Sequence, residues 1–370
     1  MTLQAATPIP VESLQASVYT IPTDAPESDG TLAWDSTTLV LVTACAGGIT
    51  GTGYTYAGSS AATVVKSKLA GVVSGGDALQ PAARWADMQH AVRNLGKPGV
   101  VAHASSAVDI ALWDLRARLL DEPLVVALGA FHYATPIYGS GGFTSYDNDA
   151  LRSQVCGWVE AGIPRVKMKV GRDPGADIGR VDAARKAIGD DVELLVDANG
   201  AYNRKQALLW AHRYADYNVR WFEEPVSSDD LDGLRRLCEQ GPPGMDITAG
   251  EYGYHLPYFH QMLAAGAVDC LQADVTRALG ITGVLKVAAL CDARSMDLSL
   301  HCAPQISAQV GTAVWHLRHL EYFHDHVRIE GMAFDGVIDP EPGGLLRPDR
   351  TAPGHGLTVK HADLDQFRVS

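Results

Sequence analysis

Eight charged or titratable side chains recur at near-constant intervals in the second half of the chain. They are Lys167 and Lys169 in VKMKVG, Asp197 in LLVDANG, Glu223 in WFEEP, Glu251 in ITAGE, Asp274 in LQADVT, His301 in LSLHCA and Glu321 in RHLEY. From Lys169 onward the steps are 28, 26, 28, 23, 27 and 20 residues. One such residue closing an apolar run is ordinary surface chemistry. Eight in succession, about one β/α unit apart, define a site.

The types divide by chemistry. Asp197, Glu223 and Glu251 are three carboxylates with no His or Cys among them, and hard oxygen donors of this kind suit Mg²⁺. The plainer alternative makes them salt-bridge partners for the lysines. Lys167 and Lys169 stand two apart, so on a strand they share a face. Crowded with a cation they would lose protons more easily, which makes a lysine available as a base. Asp274 and His301 form a candidate carboxylate–imidazole pair, in which the acid fixes the tautomer. Glu321 is a candidate acid for a developing enolate. Together these pieces suit removal of the weakly acidic α-proton of a small carboxylate substrate, with electrostatics supplying most of the effect. Glu224 should point away from Glu223 by strand alternation, which makes it the poorer ligand.

These residues need a scaffold that brings successive strand ends to one face. From about Ala134, short β-like runs alternate with amphipathic helical runs in eight units: TPIYGSGGF, PRVKMKVG, VELLVDANG, VRWFEEPV, DITAGE, DCLQADVT, LSLHCA and LRHLEYF. Seven or eight such units fit an α/β fold, either a closed parallel barrel or a doubly wound sheet, and eight in roughly 200 residues favour a (β/α)₈ TIM-like barrel over 134–335. Residues 1–133 read differently. VESLQASVYTI and STTLVLVTA look like strands, and PTDAPESDGTLAWD between them reads as a loop. SSAATVVKSKLAGVV, PAARWADMQHAVRNL and SSAVDIALWDLRARLL have helical spacing. This is an α+β capping domain. The Pro- and Gly-rich residues 336–370 are expected to return to it.

Composition removes other classes. The 370 residues carry 43 acidic and 30 basic side chains, a net charge of −13, which argues against nucleic acid or an anionic membrane as partner. No run of about 18 apolar residues predicts a membrane span. MTLQAATPIPVESLQ lacks the pattern of a secretory leader. Six scattered cysteines suit reduced thiols and a cytoplasmic location.

With these residues in place, the chain resembles the enolase superfamily, and within it the mandelate racemase subgroup. The resemblance rests on the K-x-K at Lys167 and Lys169, the trio Asp197, Glu223 and Glu251, the Asp274–His301 dyad, Glu321 and the helix SSAVDIALWDL. It implies one Mg²⁺, a site closed by capping loops, and a homo-oligomer, dimer or octamer. It also implies Lys169 as the base on one face, tuned by Lys167, and His301 on the other. The loops around PTDAPESDGTLAWD and GYTYAGSS would set the substrate. Their polar residues Asp24, Glu27, Ser28, Asp29, Trp34, Tyr54 and Tyr56 favour a hydroxylated acid, hence dehydration of an acid sugar. Racemisation or epimerisation of a 2-hydroxy acid, or a cycloisomerase, shares the first step. A non-catalytic relative would lack a base or ligand, and a Schiff-base aldolase would leave the carboxylates without a role.

Overall fold

The computed structural model describes residues 7–369. Residues 1–6, the start of the stretch read for a secretory leader, lie outside the described residues.

The capping region opens with an antiparallel meander, β1 (Ser13–Ser28), β2 (Ala33–Ala46) and β3 (Ile49–Tyr56). Period-two alternation buries both of its faces. Leu14, Ala16, Val18, Val40, Val42 and Ala44 pack against the capping helices, whereas Tyr19, Ile21, Leu39, Leu41 and Tyr54 join the barrel's core. The sheet is therefore the layer that fastens cap to barrel. Helical turns over Ser60–Val73, then α1 (Pro81–Ala91) and α2 (Val100–Leu119), follow it. Close approach of α2 to β3 depends on Gly51 and Gly53, where an added Cβ would come within 2.4 Å of α2 backbone atoms.

The stretch Pro22–Asp35, expected to be a loop, is mostly strand. Pro22–Ser28 completes β1 and Ala33–Asp35 begins β2, with Glu27 opposite Trp34 after a register shift beyond Pro22. Asp29 caps the turn by accepting from the amides of Thr31 and Leu32, each at 2.6 Å. The residues are polar because the hairpin overhangs the barrel mouth. Backbone pairing, which composition does not report, holds it straight.

Eight parallel strands close the barrel: β4 (Thr135–Gly141), β5 (Arg165–Lys169), β6 (Glu193–Asp197), β7 (Val219–Glu223), β8 (Asp246–Ala249), β9 (Cys270–Asp274), β10 (Leu298–His301) and β11 (Leu317–Phe323). They run in chain order, and β11 pairs with β4 to complete the ring. The helices that follow them are α3 (Asn148–Glu160), α4 (Pro174–Ile188), α5 (Arg204–Ala215), α6 (Leu231–Gln240), α7 (Leu256–Ala265), α8 (Gly280–Asp292), α9 (Pro304–Gly311) and α10 (His324–Ala333). Outward residues such as Val166, Met168, Leu194, Val196 and Phe222 pack under these helices. Inward, Tyr138, Leu195, Trp221 and Cys270 form an apolar plug beneath the charged layer.

After α10 the chain ties the two parts together. Leu345–Leu346 pairs with Thr135 and Pro136, His355 donates its amide to Asp114 at 2.9 Å, and the Val369 amide donates to Val18 at 2.8 Å. Among the described residues no helix is long and apolar enough to cross a membrane. All six cysteines are free thiols.

Where cap meets barrel, Glu330 of α10 accepts from the Tyr54 hydroxyl at 2.7 Å and from the Gln305 amide at 3.0 Å. Burial raises its carboxyl from 4.5 to about 8, although those hydrogen bonds oppose the rise. The unfolded chain ionises this group from about pH 4.5, and the folded chain keeps its proton to about pH 8. Its contribution to stability is therefore complete at low pH and lost as pH climbs through that window. Between pH 5 and 8 the native protein should lose roughly 3–4 kcal/mol from this residue. Urea unfolding of Glu330→Gln should show a flatter dependence on pH, and an unchanged slope would refute the assignment.

Candidate active site

Strand ends and the turns beyond them build the site. Lys169, Asp197 and Glu223 lie side by side in register on β5, β6 and β7, and Asp274 lies opposite His301 on β9 and β10. All eight residues singled out in the sequence are buried and gather at one end of the barrel. Glu251 stands two residues beyond β8 rather than on it. Gly250 makes that step with φ +142°, and a Cβ there would fall 2.0 Å from the Gln272 carbonyl oxygen.

Asp197, Glu223 and Glu251 bring carboxylate oxygens within 4.8 Å of one another. Glu223 Oε2 accepts from Lys167 Nζ at 2.7 Å and from Trp221 Nε1 at 3.0 Å. Its Oε1 is buried with no hydrogen-bond partner among the described residues. Asp197 accepts from the Asn199 amide at 2.8 Å and from Lys169 Nζ at 2.5 Å. An orphaned oxygen inside three buried carboxylates is costly unless a cation meets it. The donor set fits an oxygen-preferring divalent ion.

His301 donates from Nδ1 to Asp274 Oδ2 at 2.7 Å, which leaves Nε2 toward the cavity. There it lies 3.2 Å from both Glu251 Oε2 and Glu321 Oε2. Asp274 is itself fixed by the Thr276 amide and hydroxyl at 2.6 and 2.7 Å. Glu321 Oε1 accepts from Ser140 Oγ at 2.5 Å and pairs with Lys167 Nζ at 2.8 Å.

Two electrostatic expectations change. Burial alone would lower both lysines, but Glu223, Glu321 and Asp197 carry Lys167 well above its ordinary value, and Asp197 does the same for Lys169. Three carboxylates outweigh one neighbouring ammonium group. Glu321, expected as an acid, is pulled below the usual carboxylate range despite burial, by Lys167 and His301. For His301, burial is overcome by Cys302, Glu251 and Glu321, which raise it well above its ordinary range.

The cavity at this mouth has a volume of about 380 Å³ and is lined by Lys169, Glu251, His301 and Glu321 from the barrel. From the cap come Asp29, Trp34 and Tyr56. The other capping residues singled out stand behind them: Glu27 accepts from Trp34 Nε1 at 2.7 Å, Asp24 pairs with His324 at 2.9 Å, and Ser28 bonds Thr144 at 2.6 Å.

Sequence reasoning missed several members. Ser140, at the end of β4, obeys the same strand-end rule and could have been found by it. Cys302 (3.3 Å from His301 Nε2) is the chain neighbour of His301 in LSLHCA, whereas Arg277 (3.3 Å from Asp274) and His326, which accepts from the Ala303 amide, carry no such signal because folding brings them in. Glu224 has φ +39°, so strand alternation no longer governs it, and it lies outside the carboxylate trio. Left-handed backbone recurs around the mouth, at Asn199, Glu224, Leu279, Cys302 and Ala303. Each such non-glycine residue costs on the order of 1–3 kcal/mol.

A closed (β/α)₈ barrel under a capping sheet, with carboxylates at or just beyond three successive strand ends and a lysine and a histidine at one mouth, defines a class of barrel enzyme site. Residues 150–363 match the family model for the enolase C-terminal domain-like region, and residues 18–129 match that for the mandelate racemase/muconate lactonizing enzyme N-terminal domain. The chain belongs to the mandelate racemase/muconate lactonizing enzyme family of the enolase superfamily. Among solved structures, a mandelate racemase/muconate lactonizing enzyme-like protein from Rubrobacter xylanophilus is 58% identical, with TM-score 0.95 over 97% of this chain and 100% of that one. A racemase from Streptomyces coelicolor with bound magnesium is 31% identical, with TM-score 0.91 over 97% and 100%. Among curated relatives, 3,6-anhydro-α-L-galactonate cycloisomerase of Streptomyces coelicolor is 31% identical over 97% of this chain and 99% of its own. L-rhamnonate dehydratase of Saccharopolyspora erythraea is 30% identical over 87% and 83%.

Proposed function

We propose that this chain is a Mg²⁺-dependent enzyme that removes the α-proton of a carboxylate substrate, and that it dehydrates an acid sugar to a 2-keto-3-deoxy acid. The observation that carries the reading is the opening of Lys169 and His301, from well-separated strands, on one cavity beside the carboxylate trio. The magnesium in the Streptomyces coelicolor structure supports the choice of metal. Asp197, Glu223 and Glu251 would hold it. Bound there, Mg²⁺ would offset the carboxylates that keep Lys169 protonated and draw charge from the substrate carboxylate.

Lys169 Nζ takes the α-proton, and the electron pair of that C–H bond moves into the substrate carboxylate to give an enolate, from which it returns to form the C2–C3 double bond as the leaving group departs. The C3–O bond breaks as His301, oriented by Asp274, gives its Nε2 proton to the departing oxygen. Water leaves, and the enol becomes the ketone. Glu321 lies 3.2 Å from His301 and 2.8 Å from Lys167, and through it a proton reaches the developing oxyanion. Ser140 fixes its orientation.

A second reading has the same elimination with a ring ether oxygen as leaving group, so that a ring opens and no water is lost. The Streptomyces coelicolor cycloisomerase, matched nearly end to end, favours it. Incubation with Mg²⁺ and pooled acid sugars, anhydro acids and 2-hydroxy acids in D₂O, followed by proton NMR, separates the cases. A new methylene beside a ketone from an open-chain acid means dehydration, and from an anhydro acid means ring opening. Retained connectivity with α-deuterium means a racemase or epimerase. Absence of exchange in every pool would overturn the proton-abstraction reading.

A further inference from the structure

Strand alternation sends consecutive residues to opposite sides, yet His301 at the end of β10 and Cys302 just beyond it both line the cavity at the barrel mouth. The cause is the left-handed backbone at Cys302, φ +52°, which turns the thiol back beside the imidazole. The result is a closed triangle of three different donor atoms. Cys302 Sγ lies 3.3 Å from His301 Nε2 and 3.3 Å from Glu321 Oε2, and His301 Nε2 lies 3.2 Å from that same Glu321 oxygen. Bonds of about 2.0–2.3 Å to nitrogen, oxygen and sulfur at tetrahedral angles set the donors of one zinc ion roughly 3.3–3.6 Å apart. Each edge of the triangle comes within about 0.3 Å of that spacing.

This donor set differs in kind from the carboxylate trio. Asp197, Glu223 and Glu251 offer oxygen alone, whereas a sulfur and an imidazole nitrogen select a softer ion such as Zn²⁺. The triangle is also braced from behind, as zinc sites are. His301 Nδ1 is committed to Asp274 at 2.7 Å, and the other Glu321 oxygen is held by Ser140 Oγ at 2.5 Å and Lys167 Nζ at 2.8 Å. Burial and Glu321 keep the Cys302 thiol well above its ordinary range, so in the absence of a cation it remains S–H and donates to Glu321. A thiol that coordinates a metal gives up its proton, here to solvent.

We propose that His301, Cys302 and Glu321 form a second metal site, of Zn²⁺ preference, whose occupation switches the enzyme off. Three protein ligands leave the fourth position open toward the cavity. An ion seated there takes the Nε2 lone pair of His301 and the neighbouring Glu321 oxygen, so neither can pass a proton to the substrate. The inhibition rests on the proposed role of His301, whereas the binding does not.

The direct test is Co²⁺ titrated into Mg²⁺-saturated protein, because a thiolate–Co²⁺ bond gives a near-ultraviolet charge-transfer band that oxygen ligands do not. Zn²⁺ should displace the band. It should be absent from Cys302→Ser and Cys302→Ala, with circular dichroism unchanged, and present in Glu223→Gln, where the trio is damaged instead. Persistence in either Cys302 variant would assign the thiolate to another of the six cysteines and overturn the site, as would loss in Glu223→Gln. With a substrate in hand, Zn²⁺ at saturating Mg²⁺ should suppress turnover, and half-inhibition should need at least about tenfold more Zn²⁺ in Cys302→Ser. Equal inhibition of the two proteins would overturn the switch. Since the band needs no turnover, it stands apart from the D₂O experiment. If that experiment fails while the band holds, the catalytic reading falls and the metal site remains.

Discussion

Lys169→Ala should lower the rate of α-proton loss by at least about 1,000-fold, and His301→Asn should reduce net turnover by a similar factor, since each removes a positioned proton-transfer group. The two variants should nevertheless differ. Lys169 takes the proton in the elimination, so its loss should abolish both solvent exchange and product. His301 delivers a proton to the leaving oxygen, so its loss should leave residual α-deuterium incorporation in recovered substrate while product formation stops. NMR of the substrate in D₂O reads both quantities at once. If both variants keep native turnover, the acid–base assignment is wrong. If His301→Asn loses exchange and Lys169→Ala keeps it, the two roles are reversed.

The second large effect concerns the carboxylate trio. Glu223→Gln keeps the size of the side chain and removes the charge of the residue whose Oε1 lacks a protein partner. Mg²⁺ affinity measured by calorimetry should fall on the order of 100-fold, with loss of turnover that added Mg²⁺ restores in part. The variant should also affect Lys167, because its ammonium group loses a charged partner at 2.7 Å. Asp197→Asn provides the control, since it removes a ligand and the Lys169 partner together. Native Mg²⁺ affinity in both would remove the trio from the role of metal site.

Much of this arrangement is legible in the amino-acid sequence, for a definite reason. A parallel barrel forces its strand ends to one face, so residue types that recur once per β/α unit converge whatever the connecting loops do. The register of Lys169, Asp197 and Glu223 follows from that rule alone. The Pro22–Asp35 hairpin was not legible, because its residues are those of a turn and only ladder pairing reveals the strands. The charge states of the lysines and of Glu321 were not legible either. They depend on which carboxylates stand within about 3 Å, and that distance is set by packing rather than spacing. Arg277 and His326 reach the site from a turn and from α10, and nothing in their sequence neighbourhood marks them, whereas Cys302 enters as the chain neighbour of His301.

The left-handed backbone at Cys302 and Ala303, immediately after His301, bears on how the protein would respond to selection for heat resistance. Glycine at either position would relieve about 1 kcal/mol of unfavourable backbone geometry, so a thermal screen should enrich such clones. The same relief would free the turn that aims the imidazole toward Glu321. Heat-hardened descendants should therefore be slower catalysts, and reversion of that one glycine should restore speed at the expense of melting temperature. Durability and turnover would trade against each other through two torsion angles.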